Sequence, residues 1–193
     1  MNHSSPKPVN PTTSRLQSIA LVPIDPVQRQ SITVLQEQLP VKFERASCRV
    51  VEIGINAGKS RNPRSGQCHA TRILGDLEKH AKCLQDDRLL GVTDLDLYVP
   101  SMNYIFGEAR LPGRVAIIST YRLKGKGTTG SGGACLLPVR IVKEAVHELG
   151  HTLGLTHCTN ASCVMYFSNS LRDTDRKGED YCERCSRKLG MAK

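Results

Sequence analysis

Residues 146–158 read VHELGHTLGLTHC, and this stretch decides how the rest of the chain is interpreted. In a helix, residues four apart lie on nearly the same face, so His147 and His151 can offer two imidazoles to one metal ion. Glu148 lies about 100° further round the helix, where it can reach a metal-bound water without being a ligand. Gly154 tolerates the left-handed backbone that ends a helix, after which His157 can return as a third ligand. Three imidazoles leave one tetrahedral position open for water, which is typical of a catalytic zinc.

The same helix carries an apolar stripe on the side opposite the two histidines. The stripe consists of Val142, Ala145, Val146, Leu149 and Leu153. A helix with one apolar face and one metal-bearing face suits the floor of a catalytic cleft. The alternative is a surface helix with two chance histidines, which the HExxH pattern by itself would not exclude. The additional Gly154, His157 and Met165 favour the metal site.

Four cysteines follow the third histidine with paired spacing, Cys158-x4-Cys163 and Cys182-x2-Cys185. Four thiolates complete a tetrahedral zinc and leave no position for water, so this metal would be structural. The segment after the histidines contains few large apolar residues, and a bound zinc would stabilise it directly. The alternative is four unrelated thiols. The remaining cysteines are interpreted as small packing residues: Cys48, Cys68, Cys83 and Cys135.

On these residues the chain resembles the archaemetzincins, a family of metzincin zinc peptidases. The extended histidine motif resembles that of metzincins in general, and the four cysteines narrow the resemblance to archaemetzincins. The resemblance implies an α+β fold in which a mixed twisted sheet lies over a backing helix and an active-site helix. It also implies a small C-terminal subdomain stabilised by zinc.

The predicted activity is hydrolysis of peptide bonds by a zinc metallopeptidase with two zinc ions. The ligands of the catalytic zinc would be His147, His151 and His157. Glu148 would act as general base, taking a proton from the zinc-bound water and passing it to the leaving amine. The ligands of the structural zinc would be Cys158, Cys163, Cys182 and Cys185.

The family resemblance assigns further roles near the metal. Met165 resembles the methionine of the Met-turn, the hydrophobic base beneath the catalytic zinc. Phe167 stands where some metzincins have an additional tyrosine ligand, so no such role is assigned, and Tyr166 is expected to point elsewhere. In metzincins an antiparallel edge strand binds the substrate in extended form. The candidate strand contains Tyr104, Ile105, Phe106, Gly107, Glu108 and Ala109.

Composition limits the other function classes. The 193 residues fit one domain, and the net charge of +9 could indicate a nucleic-acid or membrane partner. The basic residues are scattered among acids, as in residues 172–177, so they are interpreted as solvated surface. The first apolar run ends at Pro23 and is too short for a signal peptide or membrane span, so a cytoplasmic location is expected. Eight cysteines in a reducing compartment favour metal ligation over disulfides.

Local patterns predict the order of the elements. The predicted strands are residues 16–24, 42–55, 90–99, 104–109 and 115–121. A first helix would have Asp25 as N-cap and Pro26 in its first turn, and Pro40 would end it. A second helix is predicted at residues 67–84, and the active-site helix would begin near Pro138. Residues 54–60 lack the spacing of a phosphate-binding loop. The glycine-rich residues 125–133 are interpreted as a connector, and the alternative is a margin of the cleft that adjusts when substrate binds.

Three segments follow from these predictions. Residues 1–14 would form a flexible tail, residues 15–156 an upper catalytic subdomain, and residues 157–193 a C-terminal subdomain with the Met-turn and the four cysteines. We expect a peptide or protein substrate, no nucleic-acid or membrane partner, and a monomer as the favoured oligomeric state. Two alternative functions are a zinc-ribbon module that binds nucleic acid and an inactive zinc protein that captures peptides. Neither alternative explains both the histidine motif and the intact Glu148.

Overall fold

The structure, a computed structural model, describes residues 16–125 and 131–191, with the side chains of residues 131–135 excepted. The predicted tail at residues 1–14 lies outside the described residues, as do residues 126–130 of the predicted glycine-rich connector. The strands are β1 (Ser18–Ile24), β2 (Ser47–Val50), β3 (Cys68–His69), β4 (Arg88–Thr93), β5 (Leu97–Val99), β6 (Met102–Ile105), β7 (Gly107–Ala109) and β8 (Val115–Ser119). The α-helices are α1 (Arg29–Lys42), α2 (Ala70–Ala81), α3 (Ser131–Thr152), α4 (Leu171–Arg176) and α5 (Glu183–Lys188).

A five-stranded mixed sheet forms the centre of the fold, with strand order β2-β1-β4-β8-β7. The first four strands are parallel, and β7 pairs antiparallel with β8 at the edge. A second, three-stranded sheet has the order β3-β5-β6. The predicted fold class, a mixed twisted sheet over a backing helix and an active-site helix, is confirmed.

Helices cover both faces of the central sheet. On β1, Ile19 and Leu21 belong to the core shared with α1 and α3, whereas Ala20 and Val22 belong to the core shared with α2. Because both faces are buried, the central strands are continuous apolar runs without polar alternation. This sheet holds α3 firmly on one side, with α1 as the backing helix.

The structure corrects the predicted strands where a turn divides an apolar run. Residues 104–109 are not one strand: Tyr104 and Ile105 belong to β6 in the small sheet, while residues 107–109 form β7 in the central sheet. Residues 90–99 likewise divide into β4 and β5. Only Ser47–Val50 of the predicted strand 42–55 pairs as a strand, and part of the predicted loop 54–60 forms a 3₁₀ helix at Ala57–Ser60. Apolar content indicates burial in these segments, but it does not indicate which sheet a strand joins.

The helix boundaries near prolines were also wrong. α1 begins at Arg29 with Gln28 as N-cap, so Asp25 does not cap it, and the helix continues through Pro40 to Lys42. Pro40 lies so close to the end that it removes only one hydrogen bond of the last turns. Similarly, α3 begins at Ser131 and contains Pro138, and α2 is limited to Ala70–Ala81.

Two remaining expectations concern exposure and membranes. Cys68 is buried, as expected of a packing residue, and Cys48 is partly buried, but Cys83 is exposed and does not pack. The side chain of Cys135 lies outside the described residues. Within residues 16–125 and 131–191, no helix combines the length and apolarity that crossing a membrane requires.

Candidate active site

Three histidines converge at the C-terminal end of α3. His147 and His151 lie one turn apart on the helix, and His157 returns from the chain that follows it. One ring nitrogen from each histidine lies within 4.8 Å of the others, and the Nε2 atoms of His147 and His151 are 3.1 Å apart. The structure therefore brings the three predicted ligands together.

Backbone carbonyls orient two of these rings. His147 Nδ1 lies 2.8 Å from the oxygen of Val164, and His151 Nδ1 lies 2.7 Å from the oxygen of Leu155. A carbonyl oxygen only accepts hydrogen bonds, so each Nδ1 carries the proton and each Nε2 carries a lone pair. Two lone pairs that face each other at 3.1 Å repel unless a cation lies between them. The donor set therefore fits a shared metal ion.

The end of α3 places the third histidine. Gly154 has a φ of +96°, a backbone conformation that residues with a Cβ rarely adopt. Its N–H donates to the oxygen of His151, and the N–H of Leu155 donates to the oxygen of Gly150. This C-cap turns the chain back toward the helix, as the sequence predicted for Gly154.

Burial keeps the imidazoles neutral. The pKa of His147 is held well below its usual range, first by burial and then by the nearby charge of Lys177. Burial also lowers the pKa of His151 and of His157. Neutral imidazole is the form that binds a metal ion, so the environment favours ligation.

Glu148 lies beside the histidines, against the edge strand. Its side chain is buried, and burial, followed by the charge of Glu144, raises its pKa well above the usual range. A Cβ at Gly107 of β7 would lie 2.7 Å from both Cγ and Oε1 of Glu148. The glycine thus leaves the space that the glutamate occupies.

A cavity of about 400 Å³ opens over these groups. Its lining includes the histidine-bearing end of α3, the edge strand β7, residues around β6 of the small sheet, Thr71 of α2 and residues 167–169. Phe167, rather than Tyr166, belongs to this lining, and its ring lies 4.7 Å from that of His157. Residues 104–109, predicted as one edge strand, all line the cavity, although residues 104 and 105 belong to the small sheet, residues 107–109 to the central sheet, and Phe106 to neither.

The four cysteines form a second cluster. The sulfur atoms of Cys158, Cys163, Cys182 and Cys185 lie within 4.8 Å of one another. Cys163 Sγ accepts a hydrogen bond from the N–H of Cys182 at 3.3 Å, and Cys158 Sγ accepts from Arg184 at 3.2 Å. Burial raises the pKa of Cys182, but hydrogen bonds from the Cys185 backbone and from the neighbouring thiols outweigh it and lower that pKa to about 7. Four convergent sulfurs with N–H donors around them suit a closed metal site.

Met165 and Tyr181 connect the two clusters. Met165 is fully buried, its oxygen accepts a hydrogen bond from the N–H of Cys158, and its sulfur would lie 2.6 Å from a Cβ at Gly150. The hydroxyl of Tyr181 donates to the oxygen of Val146 at 2.8 Å. Both side chains therefore pack on α3 at the level of the histidines.

Sequence reasoning missed a buried ionic network behind the site. Residues 172–177 were interpreted as solvated surface, but Lys177 is fully buried and its Nζ lies 2.9 Å from Oε1 of Glu144. The contact is an ion pair without hydrogen-bond geometry. Arg140 forms a bidentate pair with Asp175, and Lys143 donates to the oxygens of Thr174 and Asp175. The sequence contained one indication of this network. Lys143 and Glu144 follow Arg140 by three and four residues and precede His147 by four and three, so they lie on the same face of α3 as His147.

Two histidines and a glutamate on one helix, with a third histidine that returns beside them and an antiparallel edge strand nearby, define the class of zinc-dependent peptidases. The model of peptidase family M54 matches residues 16–191, and the chain belongs to that family. The chain is therefore a zinc metallopeptidase, as the sequence predicted. Family membership favours this function over the nucleic-acid-binding alternative.

Relatives with known names agree with this assignment. The chain is 51% identical over 163 residues to the archaemetzincin of Archaeoglobus fulgidus, covering 84% of this chain and 93% of the relative. It is 37% identical over 177 residues to the archaemetzincin of Methanocaldococcus jannaschii, covering 90% and 93%. The crystal structure of archaemetzincin from Methanopyrus kandleri superposes with a TM-score of 0.75 at 33% identity, covering 94% of this chain and 97% of that one. The resemblance to archaemetzincins is confirmed.

Proposed function

We propose that the chain hydrolyses peptide bonds at this cavity, with His147, His151 and His157 as ligands of the catalytic zinc and Glu148 as general base. The observation that carries the proposal is the convergence of three ring nitrogens within 4.8 Å beside a buried glutamate. When bound, zinc would polarise the scissile carbonyl, lower the pKa of a water toward about 7 and, by its charge, favour ionised Glu148.

The protein's own groups perform the remaining steps. A peptide in extended form pairs with the free edge of β7, which holds its carbonyl beside α3. Glu148 accepts a proton from the attacking water at a carboxylate oxygen and delivers it to the nitrogen of the leaving amine. The carbonyls of Val164 and Leu155 keep the two helical imidazoles in the ligand orientation. Met165 forms the apolar support beneath them.

We further propose that the four cysteines hold a structural zinc, so that the protein contains two zinc ions. The convergence of four sulfurs and their N–H donors supports this assignment. We keep the division into an upper subdomain, residues 15–156, and a C-terminal subdomain, residues 157–193. The second subdomain supplies His157 and the Val164 oxygen to the active site of the first.

Glu148→Gln tests the general base. The amide has nearly the same size but does not accept a proton, so hydrolysis should fall about 10²–10⁴-fold. A peptide library digested by wild type and by the variant, and analysed by mass spectrometry, measures this, with metal content and circular dichroism recorded for both. Glu52→Gln, an exposed glutamate distant in sequence, is the matched control and should cleave like wild type. Equal cleavage by wild type and Glu148→Gln would show that Glu148 is not the general base. A wild-type protein that binds peptides but does not cleave them would support the alternative of an inactive peptide-binding protein.

A further inference from the structure

Among the strands that the structure describes, β7 pairs only with β8, and its other edge lies at the cavity. The N–H of Ser119 donates to the oxygen of Phe106, and the N–H of Arg110 donates to the oxygen of Val115. In an antiparallel ladder such pairs alternate along the strand, so Glu108 is also directed toward β8, opposite Ile117. The backbone groups of the residues between them, Gly107 and Ala109, therefore face the free edge. An extended peptide would pair with these two residues.

Side chains on this strand alternate between two faces. Gly107 faces α3, where Glu148 occupies the space of its absent Cβ. Glu108 faces the opposite side, where both of its carboxylate oxygens accept from the hydroxyl of Thr71 on α2, at 2.9 and 3.0 Å. The side chains of a peptide paired with β7 alternate in the same way, so one of them would lie beside Glu108 on the same face. The Cβ atoms of two such opposite residues are about 4.5–5.5 Å apart.

The carboxylate of Glu108 has unused capacity to accept hydrogen bonds. A threonine hydroxyl has a single proton to donate, whereas an ionised carboxylate has about four acceptor positions. Arg110, two residues along the strand, is engaged by both oxygens of Glu78 at 2.9 and 3.0 Å. Glu108, Arg110 and Glu78 together therefore carry one net negative charge.

The cavity is acidic although the chain carries a formal charge of +9. Among the described residues that line it, the side chains with a formal charge at neutral pH are Glu108, Glu144 and Glu148, without a lysine or arginine. The charge of Glu144 is matched from behind by buried Lys177, and Glu148 is assigned to proton transfer. Glu108, half-buried and lining the cavity, is left to interact with a ligand.

We propose that Glu108 determines specificity by binding the ammonium or guanidinium group of a basic side chain in the substrate. The enzyme then prefers a lysine or arginine at the substrate position that lies over Glu108, on the face opposite the catalytic zinc. The amino terminus of a peptide carries the same ammonium chemistry. We favour a basic side chain over the amino terminus as the ligand of Glu108. The backbone of an extended peptide would lie along β7, and only a side chain would reach toward α2. This inference rests on the proposed function.

Paired peptides test the preference. Two peptides differ only in lysine or glutamine at the position that a library digest identifies as favouring basic residues, and the ratio of their kcat/KM values is measured. In Glu108→Gln the ratio should fall about tenfold, the lower range for a hydrogen bond to a charged group. In Glu108→Lys the preference should change to a glutamate peptide. Asp76→Asn, on α2 but outside the cavity lining, changes the net charge equally and should leave the ratio unchanged.

Binding separates this inference from the hydrolysis itself. Calorimetric titration of zinc-loaded Glu148→Gln uses a synthetic peptide series with lysine or glutamine at each position in turn, each with a free or an N-acetylated amino terminus, so that no digest is needed to choose the position. A lysine preference that persists after acetylation and is lost on adding Glu108→Gln supports the proposal, even if wild type fails to hydrolyse any peptide and the proposed function is wrong. A ratio unaffected by Glu108→Gln overturns the proposal while hydrolysis stands. Binding that depends on the free amino terminus and not on lysine also overturns it and identifies the amine as the ligand.

Discussion

The histidine cluster and the cysteine cluster are adjacent in the chain, but opposite kinds of groups hydrogen-bond to their side chains. Backbone carbonyls orient the rings of His147 and His151, each at less than 3 Å. Around the sulfurs the neighbours are N–H groups, from Cys182 to Cys163 and from Arg184 to Cys158. A neutral imidazole needs an acceptor for its second nitrogen, whereas an anionic thiolate is stabilised by donors.

The difference also extends to access. Three imidazoles line an open cavity of about 400 Å³ and, as ligands of one zinc, would leave a coordination position for reactants. Three of the four cysteines are buried, and the four sulfurs would complete the tetrahedron of a structural zinc. On the two-zinc proposal, the surroundings of the donor groups, more than the metal itself, separate the catalytic site from the structural one.

The largest expected contrast between the clusters is the lability of their metals. Brief treatment with a chelator should abolish hydrolysis completely by removing the zinc of the open histidine site, while the cysteine site keeps its zinc and the fold persists. Metal analysis, peptidase activity and circular dichroism, followed over the same time course, measure this. Readdition of zinc should restore activity. A fully folded protein with one zinc per chain, prepared with excess zinc and reductant, would contradict the two-site proposal.

The buried ionic network gives the next largest effect. Lys177→Met leaves the carboxylate of Glu144 buried without its ion-pair partner, so the free energy of unfolding should fall by about 3 kcal/mol or more. Urea denaturation of the zinc-loaded protein measures the change. The double variant Lys177→Met with Glu144→Gln removes the unpaired charge and should recover much of the loss. If the double variant is no more stable than Lys177→Met, the pair does not act as a unit.

The parts of the fold that could be predicted are those with a clear local sequence pattern. Periodic apolar residues predicted β1, β8 and the helical arrangement, because burial on a sheet or helix imposes a period on the sequence. The division of residues 104–109 between two sheets was missed, since strand pairing depends on distant partners. Pro40 and Pro138 misled the helix boundaries because tertiary packing outweighed the cost of one lost hydrogen bond.

The site was predictable to a similar degree. The histidine and cysteine spacings predicted two clusters because metal ligands recur at intervals that a helix or turn determines. Lys177, Glu144 and Tyr181 were not predicted. Their roles come from contacts across more than thirty positions of sequence, as between Val146 and Tyr181, and a buried lysine looks the same in a sequence as an exposed one.

A smaller effect is expected from the chain connection between the two clusters. Cys158 follows His157 directly, and Val164, whose oxygen orients His147, follows Cys163. Cys182→Ser loosens this segment, so the affinity of the histidine site for zinc should fall about 10–100-fold, as is typical when the groups that orient a ligand are disturbed. Zinc competition titration, at a temperature where circular dichroism shows the main domain folded, measures it. Cys83→Ser, at an exposed cysteine, is the control, and wild-type affinity in Cys182→Ser would make the cysteine cluster an independent module.

The smallest effect concerns Tyr181, which lies between the cysteine cluster and α3. Its fully buried hydroxyl donates to the oxygen of Val146, and burial raises the pKa of the phenol well above its usual range, so it remains a donor. Tyr181→Phe keeps the edge contact with Phe43 but removes this hydrogen bond, and the free energy of unfolding should fall by about 1 kcal/mol. Urea denaturation measures the loss, with Tyr121→Phe, at a tyrosine 52% exposed, as the control with no expected change. Because the ring still fills the space beside Gly150, zinc affinity should change far less than in Cys182→Ser. An equal loss of zinc affinity in both variants would contradict this order and show that the hydroxyl supports the histidine site as strongly as the cysteine cluster does.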